Sequence, residues 1–130
     1  MKKIYIASPF FNDKERSTLK EVIDSWKIAF PDHEFYIPME HEIPDGWNMP
    51  NYEWAAAVFQ EDVKAIRECD EVWAVYYGLY SDSGTAWECG FAYGIGKPVL
   101  VCPFVENEKN SLMVFQGASN KGMLNCFYQT

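Results

Sequence analysis

Three acids stand out by type and spacing. Asp82 and Glu88 lie six residues apart in the stretch Asp82-Ser83-Gly84-Thr85-Ala86-Trp87-Glu88-Cys89-Gly90-Phe91-Ala92, and Asp62 precedes Asp82 by twenty residues. A carboxylate can attack an electrophilic carbon, and a carboxyl whose pKa is raised by burial can hand a proton to a leaving group. Glu88 fits a plainer role as well, because Thr85-x-x-Glu88 has the spacing of a capping box, in which the glutamate bonds back to the Thr85 amide and starts a helix. Gly84 and Gly90 weigh toward a site, since neither is a good helix former and missing side chains leave room beside an acid. Spacing leaves both roles open.

The acids need elements to hold them. Val72-Trp73-Ala74-Val75-Tyr76-Tyr77 is β-branched and aromatic enough for a buried strand, and Val99-Leu100-Val101-Cys102 is a second apolar run. Between them Thr85 can cap a helix that Gly94, Gly96 and Lys97-Pro98 stop. Strand, crossover helix and parallel strand put the first loop, with Asp82, at the carboxyl edge of the sheet, where open α/β folds bind small ligands. Asp62 falls in a helix expected from Tyr52 to Glu68, whose apolar stripe is Ala55, Phe59, Val63 and Ile66 with Trp54 and Val58 beside it. It is either a solvated acid at the stripe's edge next to Glu61, or an acid near the buried side that has a partner or a task.

The remaining chain repeats the alternation. Lys3 to Ser8 reads as a first strand ending at Pro9, with Tyr5 a core tyrosine by default. Phe10-Phe11 after it is a lid over the core or a surface for a planar ligand. A helix is expected from Ser17 to Phe30, with Leu19, Val22, Ile23, Trp26 and Phe30 inward and Thr18-x-x-Glu21 as a possible cap. His33 to Ile37 gives a second strand. Met39 to Asn51 is a long loop, which in a compact domain is usually functional. Pro103 to Asn110 reads as an acidic loop, Ser111 to Gly117 as a short helix, and Leu124 to Tyr128 as a last strand or a docking arm.

Composition narrows the classes. With 130 residues, 48% of them hydrophobic, one domain spanning 1–130 is expected. A formal net charge of −8 argues against a nucleic-acid or anionic-membrane partner. Aromatic residues, 17% of the chain, exceed core needs and tend to line pockets or subunit contacts. Cys69, Cys89, Cys102 and Cys126 have no C-x-x-C spacing and read as reduced thiols, and Met1-Lys2-Lys3 leads directly into strand-like residues, so a cytoplasmic protein is expected. No metal is expected from His33 and His41, eight apart, and no apolar run has the length of a membrane span.

Four blocks together resemble the nucleoside 2-deoxyribosyltransferases, over nearly the whole chain: Lys3-Ile4-Tyr5 through Phe11-x-Asp13, Trp54-Ala55-Ala56-Ala57-Val58-Phe59-Gln60-Glu61-Asp62, Asp82-x-Gly84-x-x-x-Glu88-x-Gly90-x-Ala92, and Leu112-Met113. The resemblance implies an α/β, flavodoxin-like or Rossmann-like three-layer sandwich with a central, mostly parallel sheet. It also implies a ping-pong transfer of 2-deoxyribose between nucleobases without a cofactor, serving nucleoside salvage. Glu88 would be the nucleophile that holds the sugar as an ester, as in retaining glycosidases. Asp62 would protonate the departing base, and Asp82 would bind a substrate hydroxyl or the base edge. Tyr5 matches a tyrosine beside the nucleophile, Phe11 an aromatic that stacks on the base, and Met113 a methionine supplied by a neighbouring subunit, which implies a homo-oligomer, commonly a hexamer built from dimers. The family's asparagine lies two residues before that methionine, where this chain has Ser111, with Asn110 one earlier; either could bind the sugar 5′-hydroxyl. The segment Pro38 to Asn51 has no secure match, so base preference stays open.

A hydrolase of nucleosides or 5′-monophosphates shares the acid loop, but a phosphate needs a cationic or amide-rich first loop. Here that loop is Ser8-Pro9-Phe10-Phe11-Asn12 with Arg16 the only nearby arginine, which ranks unphosphorylated deoxyribonucleosides and free nucleobases first. A non-catalytic nucleoside- or nucleotide-sensing module is the third reading.

Overall fold

The computed structural model describes residues 1–78, 83–103 and 111–119. Asp82, Asn110, Cys126, most of the loop from Pro103 to Asn110, and the tail from Leu124 to Tyr128 therefore lie outside the described residues. In chain order the elements are β1 (Lys3–Ala7), α1 (Asp13–Ala29), β2 (Glu34–Tyr36), α2 (Asn51–Glu68), β3 (Glu71–Tyr76), α3 (Ser83–Gly94), β4 (Val99–Pro103) and α4 (Leu112–Gly117). The expected loop between β2 and α2 carries two 3-10 turns, Pro38–Glu40 and Gly46–Asn48.

The strands pair in the order β2-β1-β3-β4, every pair parallel. Parallel neighbours need long crossovers, and the helices supply them. Strand periodicity of two then sorts the side chains. Ile4, Ile6, Trp73 and Val75 face α1 and pack on Leu19, Val22, Ile23 and Trp26. Tyr5, Ala7, Val72, Ala74, Tyr76, Val99 and Val101 face the other way and pack on Ile66, Cys89 and Ala92. The result is three layers, as expected: α1, the parallel sheet, and the α2 and α3 side. Each fully buried aliphatic or aromatic side chain in these layers stabilises the fold by about 1.5–3 kcal/mol.

Helix α1 starts a turn earlier than Ser17. The cap is Asn12, whose side chain accepts from the Glu15 N–H at 2.8 Å, while a Glu15 carboxylate oxygen accepts from the Phe11 N–H at 2.8 Å. Asn12-x-x-Glu15 thus does what Thr18-x-x-Glu21 was expected to do, with Asp13 and Glu15 complementing the positive helix end.

Helix α2 corrects the stripe. Ala65 and Ile66 are buried, Val58 and Asp62 are half-buried, and Ala55 and Phe59 are exposed. The inward face runs through Val58, Asp62, Ala65, Ile66 and the buried Cys69, at helical spacing. Asp62 is therefore a member of that face and not a solvated acid at its edge.

Among the described cysteines Cys69 and Cys89 are free, whereas Cys102 is disulfide-bonded, which corrects the expectation of reduced thiols throughout. Among the described residues no helix is long and apolar enough to cross a membrane.

Candidate active site

Tyr5 sits in the middle of β1 with its side chain on the α2 and α3 side and is completely buried. Its hydroxyl donates to Oε2 of Glu88. Burial first, then the Glu88 charge and the hydrogen bond, push the Tyr5 hydroxyl far above its ordinary pKa, with Asp62 adding to the effect. Tyr5 is therefore a neutral donor at any working pH, and it senses both acids.

Glu88 lies in the second turn of α3, which begins at Ser83 and not at the expected cap Thr85. Thr85 is inside the helix and fully buried. One carboxylate oxygen of Glu88 is thus engaged by a side chain 83 residues away, which a capping box would not require. The neighbouring Cys89 thiol is pushed up to about 12 by burial and by the Glu88 charge. It stays a thiol, and an inert one.

Asp62 approaches from α2. Its pKa is raised to about 6, first by burial, then by the charge of Glu61, with His41 pulling in the opposite direction. A carboxyl in that range can hold a proton near neutral pH and release it, as a general acid must.

Sequence reading missed two further groups. Tyr36 is the in-register neighbour of Tyr5 across β1 and β2, and their rings stack at 5.6 Å and 14°. His41 stacks on the far side of the column, 4.1 Å from Tyr36 at 12°. The Tyr36 hydroxyl is pushed up to about 12, by burial and then by Glu61, Asp62 and Glu68. It is buried and has no hydrogen-bond partner among the described residues. The available signal was parallel register, since Tyr5 and Tyr36 each occupy a strand position facing α2; the reach of His41 could not be seen without the fold.

The other expected residues are placed as follows. Ser111 caps α4: its Oγ accepts from the Val114 N–H at 3.4 Å, and its own N–H donates to the Tyr76 hydroxyl at 3.2 Å, tying the start of α4 to the carboxyl end of β3. Met113 is 78% exposed. Phe11 is 68% exposed and stacks on Phe10, which packs against the core, so the pair divides the two roles open to it. Gly90 faces solvent, and a Cβ there would meet nothing within 4 Å. Two residues on from Glu88 is the opposite side of a helix, so this open space is not beside the Glu88 carboxylate. The structure thus joins Tyr5 to Glu88 by a hydrogen bond, sets Asp62 within electrostatic reach of the Tyr5 hydroxyl, and leaves Phe11 and Met113 largely in solvent. Among the described residues no group of three or more His, Cys, Asp or Glu side chains is arranged to hold a metal ion.

On the outer side of α2 and α3, Trp87 stacks on Phe91 at 5.3 Å, Phe59 meets Trp87 edge-on at 5.3 Å, and the Arg67 guanidinium lies 5.2 Å over Phe91. This is a half-exposed aromatic ledge backing the helix that carries Glu88.

Residues 4–123 match the family model described as nucleoside 2-deoxyribosyltransferase. The nucleoside deoxyribosyltransferase of Limosilactobacillus fermentum is 23% identical over 128 residues, covering 90% of this chain and 76% of that protein. The solved 2-deoxyribosyltransferase of Bacillus psychrosaccharolyticus superposes with a TM-score of 0.75 and 30% identity, covering 89% of this chain and 82% of that one. A CMP N-glycosidase from Clostridium botulinum shares the fold, with a TM-score of 0.56 at 18% identity over 89% of this chain and 82% of that one.

Proposed function

Because the chain belongs to the nucleoside 2-deoxyribosyltransferase family, a family of transferase enzymes, we propose that it exchanges the base of a 2-deoxyribonucleoside through a glycosyl ester on Glu88. The observation that carries this reading is Tyr5: one buried hydroxyl donates to Glu88 and also feels the charge of Asp62.

In the first half-reaction a Glu88 carboxylate oxygen bonds to C1′, and the bond from C1′ to the base nitrogen breaks with its electron pair going to the base. Asp62 gives its proton to that base, which leaves neutral. The transition state has oxocarbenium character, so the Glu88 anion both stabilises it and captures it. Tyr5 holds the carboxylate in place and, by donating to it, makes it a better leaving group in the second half. There a nitrogen of the incoming base bonds to C1′, the ester oxygen departs with its electrons, and the proton lost by the base returns to Asp62. No step needs a cofactor. Asp82 would bind a substrate hydroxyl or the base edge, Phe11 would stack on the base, and Asn110 or Ser111 would meet the 5′-hydroxyl. Ser111, although its oxygen accepts from the Val114 N–H, retains a hydroxyl hydrogen to donate.

An unphosphorylated substrate is favoured over a nucleotide because Arg16 is already engaged, donating to the Phe10 carbonyl at 3.0 Å and to Asp13 at 2.6 Å. In the family reading Met113 serves a neighbouring subunit's site, and its exposure on α4 fits a homo-oligomer. The salvage of nucleosides is the role such an exchange would serve.

Incubation with deoxyinosine and adenine tests the reading. Deoxyadenosine and hypoxanthine in equal amounts are expected. Free deoxyribose as the sole sugar product would move the protein to the hydrolases, whose fold it shares, and no conversion would make it a binding module.

A further inference from the structure

We propose that Tyr36 is a positioning residue for the nucleophile: its ring, held flat between Tyr5 and His41, fixes the ring of Tyr5 and thereby the hydroxyl that Tyr5 donates to Glu88, an inference that rests on the parts given to Tyr5 and Glu88 above. The Tyr5 hydroxyl sits at the far end of a rigid ring, so where the ring lies decides where the hydroxyl is. Along its own strand Tyr5 alternates with Ile4 and Ile6, which point to the other face of the sheet. Across the sheet its register partners are Val72 on β3 and Tyr36 on β2. Of these two, Tyr36 offers a flat face, with its ring 5.6 Å from the Tyr5 ring and inclined to it by 14°. A near-parallel pair at that spacing is the offset stack that aromatic quadrupoles favour.

The chain after β2 holds Tyr36 in turn. Strand β2 is an edge strand of three residues, so its last side chain has no strand beyond it to pack on. Pro38 opens a 3-10 turn, and its carbonyl accepts from the His41 N–H at 3.0 Å, which turns the chain back. The His41 ring then lies on Tyr36 at 4.1 Å and 12°. The hydroxyl of Tyr36 takes no part in this: it is buried and has no hydrogen-bond partner among the described residues. What this position gives Tyr5 is a flat face, which phenylalanine would supply equally and an aliphatic side chain would not.

Single-turnover transfer of deoxyribose from Glu88 to adenine reads the effect. Tyr36→Val is expected to slow it by about 3- to 10-fold, and the conservative variant Tyr36→Phe to restore it to within about twofold of the parent. Tyr36→Leu, closer in volume, serves as a second aliphatic variant where Tyr36→Val does not fold. In a Tyr5→Phe background the aliphatic variant is expected to slow transfer by less than about twofold further, because a residue that acts through the Tyr5 hydroxyl then has nothing left to position. Independently of activity, proton NMR follows the Tyr5 hydroxyl, assigned by its loss in Tyr5→Phe. Its exchange with water is expected to quicken by about 3- to 10-fold in the aliphatic variant and to return to the parent rate in Tyr36→Phe. A Tyr36→Phe that loses the transfer rate, an equal loss from the aliphatic variant in both backgrounds, or an unchanged hydroxyl exchange would overturn the inference. If exchange quickens while transfer keeps the parent rate, the failure belongs to the part given to Tyr5 and Glu88 in the reaction and not to the stack.

Discussion

A tyrosine buried in the middle strand of a sheet can satisfy its hydroxyl on any nearby carbonyl, yet Tyr5 donates to a carboxylate on a helix 83 residues further on. Hydrogen bonds to charged groups contribute about 1.5–3 kcal/mol. Tyr5→Phe should therefore lower the single-turnover rate of the second half-reaction, transfer of deoxyribose from Glu88 to adenine, by about 10- to 100-fold while leaving the fold intact, as circular dichroism would confirm. A rate within twofold of the parent would remove Tyr5 from the machinery. Asp62 gives a second residue-scale test, through pH. Its folded pKa is raised above the ordinary 3.8 to about 6, so the folded state binds the extra proton between those values. Stability from this group is complete below pH 3.8 and declines as pH rises toward 6. Asp62→Asn removes the buried charge and should stabilise the protein at pH 8 by about 1 kcal/mol, after allowance for the solvent that reaches the site, or about 3–5 °C in melting temperature. Near pH 4 the gain should vanish.

At the scale of elements, the parts legible in the sequence are those that periodicity and turn chemistry dictate. The apolar runs at Val72 and Val99, the glycines and proline between them, and the acid spacing of Asp82 and Glu88 all report one strand-loop-helix-strand unit, and the described elements match it. The start of α1 is misplaced by sequence spacing because two cap signals, Asn12 and Thr18, lie six residues apart, and Asn12 prevails. The inward face of α2 was misplaced because Phe59 and Ala55 look like core by type but are exposed, whereas Asp62 looks like surface and is turned inward. Tyr36 and His41 were invisible for a different reason: a ring column across two strands and a loop is a product of register and turn geometry. Since the cap at Asn12 also fixes the loop that carries Phe11, Asn12→Ala should cost about 1 kcal/mol in urea unfolding, with the midpoint lowered and the slope unchanged. An unchanged midpoint would mean that Glu15 and Asp13 suffice to start α1.

Among the described residues of the whole molecule, several large apolar side chains stand in solvent. Trp87 and Phe59 are each about half exposed on the ledge over α3, and Leu112 and Met113 stand out from α4. Residues of this kind mark contacts between subunits when they cluster. Sedimentation should accordingly show a homo-oligomer, and Trp87→Asp should dissociate it and lower activity, because the ledge backs the helix that carries Glu88. A monomer of full activity would refute the assembly. The disulfide at Cys102 weakens the compartment argument built on reduced cysteines, since oxidised pairs are uncommon in reducing compartments.

The central claim is that Glu88 bonds covalently to the anomeric carbon. The direct measurement is the intact mass of the acid-quenched protein after exposure to deoxyinosine with no acceptor base, followed by mapping of the modified peptide. The expected result is a gain of one deoxyribosyl group on the peptide containing Glu88, removed by adding adenine and absent in Glu88→Ala, whose transfer rate falls to below about a thousandth. Transfer that proceeds without any adduct, or an adduct on another residue, would contradict it.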